Sequence, residues 1–198
     1  MMLQTRPSQL LLLLAVLLTG CTPIVNRFMA RTFERIAATS DPAPIKIANP
    51  VLNDVGISVV WVGHATTLIQ IHDKVFLTDP VFTKTVGMIS TRYVEPGIDL
   101  STLAKVDYTL ISHTHMDHFS YGSLDMLPKN GKLLLPYGAA MYAPEFHFPE
   151  TREMKRWEAL EENDVRITAV PVRHFGGRYG FDFPWVRDRG YTGWVIVY

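Results

Sequence analysis

The sequence predicts a mixed α/β (α+β) sandwich, a single β-rich domain with helices interposed. Three observations carry this. Short apolar and β-branched runs recur from residue 57 to the last residue, and two of them flank a turn of hairpin length. Segments of helical spacing fall between the later runs, the order expected of packed sheet and helix layers. The 198 residues are 47% hydrophobic and 11% aromatic, enough for one domain with a core and unlike a disordered chain.

The elements follow in order. Residues 25–38 place Phe28, Phe33, Ile36 and Ala37 at helical spacing with Arg27, Arg31 and Arg35 on another face, which predicts a short amphipathic helix. Pro42, Pro44 and Pro50 make 40–50 an extended linker or arm. Residues 57–62, 67–71 and 75–78 read as strands, the last two forming a hairpin about His72-Asp73-Lys74. Residues 106–111 are apolar enough for a strand buried on both faces. Ser120 is placed to cap a helix that runs through Leu127 and is stopped by Pro128 and Asn130-Gly131. Residues 132–135 form a strand, 137–142 a helical turn, and 152–161 a helix anchored by Trp157 and Leu160. Val165 and Ile167 alternate with Arg166 and Thr168, a half-buried strand leading to His174, and 193–198 has the composition of a final strand. No internal repeat is visible.

Lys+Arg and Asp+Glu are equal at 19 each, so no basic field exists to attract nucleic acid. The amino-terminal residues 1–20 hold Arg6 and an apolar run at 10–18, too short to span a bilayer comfortably. The single cysteine follows in Leu18-Thr19-Gly20-Cys21 and has no partner for an intrachain disulfide. This stretch resembles a bacterial lipoprotein signal. The resemblance implies acylation of Cys21, a lipid anchor in the cell envelope and, with Thr22 next, the outer membrane facing the periplasm. The expected organisation is a signal at 1–20, a tether, helix and linker at 21–55, and the domain at 56–198.

The chemistry concentrates in Ser112-His113-Thr114-His115-Met116-Asp117-His118. Three of the seven histidines lie here, directly after a buried strand. In extended backbone His113 and His115 share a face, so two neutral imidazoles can meet one divalent ion such as zinc. Asp117 and His118 come as the chain turns away and can face a second position nearby. His174 stands beside Gly176-Gly177, where backbone can approach closely.

His113-Thr114-His115-Met116-Asp117-His118 resembles the H-x-H-x-D-H signature of the metallo-β-lactamase superfamily. Trp61-Val62-Gly63-His64-Ala65-Thr66-Thr67-Leu68, Leu77-Thr78-Asp79-Pro80-Val81-Phe82 and Pro171-Val172-Arg173-His174-Phe175 resemble the branch that includes N-acyl-phosphatidylethanolamine-hydrolysing phospholipase D and related bacterial lactonases. The resemblance, covering about 57–198, implies an αββα sandwich. It also implies one zinc on His113, His115 and His174, and a second with Asp117 and His118. Asp117 is then also catalytic, orienting a metal-bound hydroxide. Members of the branch continue into a glycine-aspartate element and a later histidine, so the expectation is an amino-terminal part of that sandwich with one complete three-histidine site. The implied reaction is hydrolysis of a phosphodiester lipid of the N-acyl-phosphatidylethanolamine type. The rivals are a lactone or another phosphoester, or a non-catalytic envelope lipoprotein that keeps a remnant site.

Other residues have two readings. His64 is an active-site or supporting histidine, or a core one. Asp79 orients a ligand imidazole or serves the turn before Pro80. His72 belongs to a solvated turn, and His147 to core or loop. Arg173, Arg178, Arg187 and Arg189 hold a phosphate or form a solvated loop.

Overall fold

The computed structural model describes residues 23–179, 182 and 188–198. The expected signal, Cys21 and Arg187 lie outside these residues. An amphipathic helix α1 (Pro23–Arg35) leads into an arm whose backbone bridges to the domain at Asp41 with Val94 and Ile47 with Ile98. The prolines of this arm keep it extended, and Gln70 fastens its end by accepting from Leu52 N and donating to Leu52 O, both at 2.8 Å. The arm is therefore fixed to the domain along its length.

Strands β1 (Ile57–Gly63), β2 (Thr66–Ile71) and β3 (Lys74–Thr78) pair antiparallel. The short hairpin β4 (Thr85–Val86) and β5 (Ser90–Thr91) follows. Then come β6 (Tyr108–Leu110), α2 (Tyr121–Met126), β7 (Lys132–Pro136) and β8 (Glu150–Met154). Strands β3, β6, β7 and β8 run parallel, giving a six-stranded sheet ordered β1-β2-β3-β6-β7-β8. A second, antiparallel sheet holds β9 (Ala159–Glu162), β10 (Val165–Val170) and β11 (Gly193–Val197), with β10 central.

Alternation along the central strands builds two cores. Val75, Leu77, Leu133 and Leu135 face Phe119, Leu124 and Leu127 around α2, while Phe76, Leu110 and Leu134 face Leu160, Ile167 and Ala169 of the second sheet. Leu134 is fully buried between the sheets, so Leu134→Ala costs about 2–5 kcal/mol. Among the described residues, the core between the sheets takes in Ile69 and Ile71 of β2 but no side chain of β1. Ile57, Val59 and Trp61 share the inner face with Ile71, Ile69 and Thr67, yet remain 65, 61 and 75% exposed.

Four sequence expectations are corrected. Residues 152–161 are not a helix but β8, a turn and β9. The Glu158 carboxylate accepts from Lys155 N at 2.9 Å and from Arg152 at 2.7 Å, which closes a turn, and Trp157 sits at φ 66 with its side chain exposed. Leu160 does anchor, but from a strand. The strand before His174 stops at Val170, because Pro171 has no N–H to continue the ladder. Ser120 stands at the N-cap of α2, but its hydroxyl pairs with that of Ser123 at 2.9 Å instead of capping. The turn expected over 137–142 is a single 3₁₀ turn at Ala140–Tyr142.

Candidate metal centre

β1, β3 and β6 point the same way, β1 and β3 each being antiparallel to β2. Their carboxyl ends therefore lie together, the edge of an open α/β sheet where sites usually form. His64 follows β1, Asp79 follows β3, and 112–118 follow β6. The loop after β10 brings His174 to the same place. A bridge between His113 and Tyr191, just before β11, draws the two sheets together there.

The rings converge. Centroids of His113 and His115 are 4.5 Å apart, His113 and His174 4.3 Å, and His115 and His174 5.2 Å. One nitrogen from each lies within 4.8 Å of the others. His64, Asp117 and His118 form a second group by the same measure. His64 Nε2 is 3.2 Å from Asp117 Oδ2, and His118 Nε2 is 3.8 Å from that oxygen. His118 joins the groups, its ring 3.9 Å from that of His113.

Hydrogen bonds decide which nitrogens are free. Asp79, buried and at φ 40, accepts from Ser112 N at 2.6 Å and Ser112 Oγ at 2.5 Å. Ser112 Oγ, its proton committed to Asp79, accepts from His113 Nδ1 at 2.9 Å, leaving Nε2 of His113 with its lone pair. His118 Nδ1 donates to Asp79 Oδ2 at 2.8 Å, leaving Nε2 toward Asp117. One carboxylate thus fixes the tautomers of two imidazoles, the usual task of a group behind metal ligands. Asp79 is itself held by its own N–H to Leu110 O at 3.0 Å and by Thr66 Oγ1 on its carbonyl at 2.9 Å.

The His174 loop is tied to the motif through Thr114. Its hydroxyl donates to Gly177 O at 3.1 Å and accepts from Gly177 N at 3.2 Å. Gly177 is at φ 107, which a side chain would strain. Arg178 donates to Thr114 O and Phe119 O and lies over the Tyr121 ring at 3.8 Å. It buttresses the motif from behind and is not part of a solvated loop.

Electrostatics favour a cation. Burial, then the neighbouring His118, His115 and His174, push His113 down to about 3. Partial burial lowers His115 and, although it is the exposed member of the three, His174 as well. These three are neutral donors at neutral pH. The hydrogen bond from His64 holds Asp117 below the usual carboxylate range, against the effect of burial. Burial opposes protonation of His118, but Asp79 outweighs it and raises the ring. Neutral imidazoles around one point, with an ionised carboxylate beside them, are a donor set that fits a divalent transition ion.

Sequence reasoning left His64 undecided; its ring is exposed and aimed at Asp117, so it is no core histidine. It missed Ser112 and Thr114, whose only signal is their place inside the motif. His72 and His147 are exposed and distant from the cluster, at φ 49 and 58.

The model of the β-lactamase superfamily domain matches residues 74–197, more than half of the chain. The chain belongs to the β-lactamase superfamily. Within it, the chain is similar to an uncharacterised protein of Mycobacterium tuberculosis, 30% identical over 156 residues that are 73% of this chain and 42% of that one. It is also similar to N-acyl-phosphatidylethanolamine-hydrolyzing phospholipase D 1 of Caenorhabditis elegans, 24% identical over 162 residues, 72% of this chain and 44% of that one. The chain thus spans less than half the length of these two relatives. Among solved structures, an isothiocyanate hydrolase from Delia radicum gut bacteria shares the fold, with a TM-score of 0.53 and 19% identity over 71% of this chain and 57% of that one. The β-lactamase superfamily expected from the histidine motif is the family found, and the mixed α/β sandwich expected with it is the fold.

Proposed function

We propose that this superfamily member carries the metal centre of a zinc-dependent hydrolase that cleaves a phosphodiester lipid of the N-acyl-phosphatidylethanolamine type. The observation that carries this reading is the convergence of His113, His115 and His174 beside a second group of His64, Asp117 and His118. The first three would hold one ion and the second three another. Zinc, once bound, supplies Lewis acidity: it brings a water molecule's pKa from 15.7 toward about 7 and offsets negative charge growing on phosphorus.

The chain's own residues do the rest. Asp79 keeps His113 and His118 in the tautomers that present Nε2. Asp117, ionised and reaching toward both His64 and His118, would help hold the second ion and orient an attacking water by accepting a hydrogen bond from it. The similarity to the worm phospholipase D supports the lipid phosphodiester. A lipid-anchored Cys21, placing the domain on the periplasmic face of an outer membrane, suits such a substrate; mass spectrometry of the amino-terminal peptide tests it by the added acyl mass.

The test combines metal content with turnover. Purified chain should contain zinc and hydrolyse N-acyl-phosphatidylethanolamine, and His113→Ala should lose both. Zinc without hydrolysis of any phosphodiester, phosphomonoester or lactone would leave an envelope protein with a remnant site. Hydrolysis of a lactone alone would move the substrate class.

A further inference from the structure

We infer that α1 and the β4–β5 hairpin form a surface that docks on an anionic lipid bilayer. The helix is amphipathic in a way that packing on its own domain does not use. At 100° per residue Met29, Phe33 and Ile36, the last in the turn after α1, fall on one stripe, and they are 44, 61 and 46% exposed. Arg27, Arg31 and Glu34 occupy the opposite side and are exposed as well. The domain holds α1 by a third side. There Arg35 donates to Thr91 O at 3.1 Å and to Arg92 O at 2.7 Å, and lies 4.4 Å over the Tyr93 ring. The apolar stripe therefore faces away from the domain core.

The hairpin extends the patch. Met88 and Ile89 at its tip are 70 and 51% exposed, and Tyr93 is 58% exposed. The tip lies five residues or fewer from Tyr93, no more than about 17 Å of extended chain. α1 contacts β5, so these exposed side chains stand on adjoining elements, and large apolar groups that cluster in this way mark an interaction surface.

Two observations select a bilayer as the occupant. First, α1 carries Arg27, Arg31 and Arg35 against Glu34, a cationic helix with an apolar stripe, the pattern that settles in an anionic lipid interface. Second, α1 directly follows the uncharged apolar run 10–18 and Cys21, so either the run or, once it is removed, an acyl group on Cys21 would bring the helix to a membrane. Among the described residues no helix is long and apolar enough to cross a membrane, so α1 lies on the surface. A cavity of about 200 Å³ lined by Gly87, Met88, Met116, Tyr121 and Arg178 connects the hairpin tip to the loop of His115 and Asp117. Docking would bring the metal loop beside the bilayer. The inference does not depend on catalysis, because docking is read without turnover.

The experiment uses the full chain with Cys21→Ser and one nitroxide at a time, on Met29→Cys, Phe33→Cys, Ile36→Cys or Met88→Cys, with Arg27→Cys and Arg31→Cys as controls. Vesicles are phosphatidylethanolamine with phosphatidylglycerol, or phosphatidylcholine alone. On the anionic vesicles the first four labels should show several-fold more collision with oxygen and several-fold less with an aqueous nickel chelate. The two controls should not change. Phe33→Glu should return the labels at 29 and 36 to the aqueous values while the chain still sediments with vesicles. Four water-exposed labels on a sedimenting chain would mean a tether alone and overturn the inference. So would equal immersion in phosphatidylcholine, or shielding before vesicles are added. Shielding that rises with protein concentration would indicate a second copy; shielding that does not would indicate the amino-terminal run folded onto α1.

Discussion

The two halves of the metal cluster are built differently. His113 is 7% exposed, its tautomer is fixed through Ser112, and its ring touches three other imidazoles. His64 is exposed; its ring meets Asp117 at 3.2 Å and the His118 ring edge-on at 5.9 Å, and the Asp117 side chain is itself 40% exposed. The Asp79 network fixes one ring in each half, His113 in the first and His118 in the second, and His174 and His64 are both exposed; the first half is the firmer because only it contains a buried ligand, His113. A preorganised donor set loses little entropy on binding, so the three-histidine half should fill first and tighter.

Breaking the first half has the largest expected effect. His113→Ala should weaken the tighter ion roughly a thousandfold, about a quarter to two-fifths of the free energy typical of a zinc site; competition with a fluorescent chelator measures this. Asp79→Asn keeps the shape but removes the acceptor that holds both tautomers. It should cost about 10–100-fold in affinity for both ions, the range for groups behind ligands. If Asp79→Asn weakened only one ion, the shared-carboxylate reading would be wrong.

The comparison also has a pH signature. In the metal-free protein His113, His115 and His174 all have lowered pKa values, so below about 6.5 the unfolded chain binds protons that the folded chain refuses. Stability should therefore fall as pH drops from about 6.5 toward 4, by up to about 1.4 kcal/mol per pH unit for buried His113, with smaller additions from half-buried His115 and exposed His174, where solvent screens the shift. His118 is raised and acts in the opposite sense: its contribution is present below about 6.5 and is lost as pH rises. Urea melts of the metal-free chain at pH 7, 6 and 5 should show the net decline, and His113→Ala should flatten it. The most limited effect belongs to His64→Ala, which removes one ligand of the weaker ion: it should weaken that ion by at least about 10–100-fold, as loss of a group behind ligands does, and leave the tighter one unchanged. Isothermal titration resolves the two ions.

Legibility in the sequence followed the same division. The spacing of His113, His115, Asp117 and His118 is local, so the strand before it and the shared face were enough to read. His174 was legible from its glycines, although the strand thought to carry it ends at Val170. His64 and Asp117 are 53 residues apart, and nothing local in either shows that they meet. Asp79 was readable only as a choice between turn and support, because its partner Ser112 is 33 residues away. The helix expected over 152–161 failed for a related reason: Trp157 and Leu160 have helical spacing, but Glu158 folds back on Lys155 and pairing with β7 and β10 wins over local propensity.

The most direct measurement of the central claim is X-ray absorption at the zinc edge on chain loaded with one equivalent of zinc. Three imidazole nitrogens at about 2.0–2.1 Å are expected, with the imidazole scattering reduced in His113→Ala. A shell of oxygens alone, or a spectrum indifferent to His113→Ala, would contradict it.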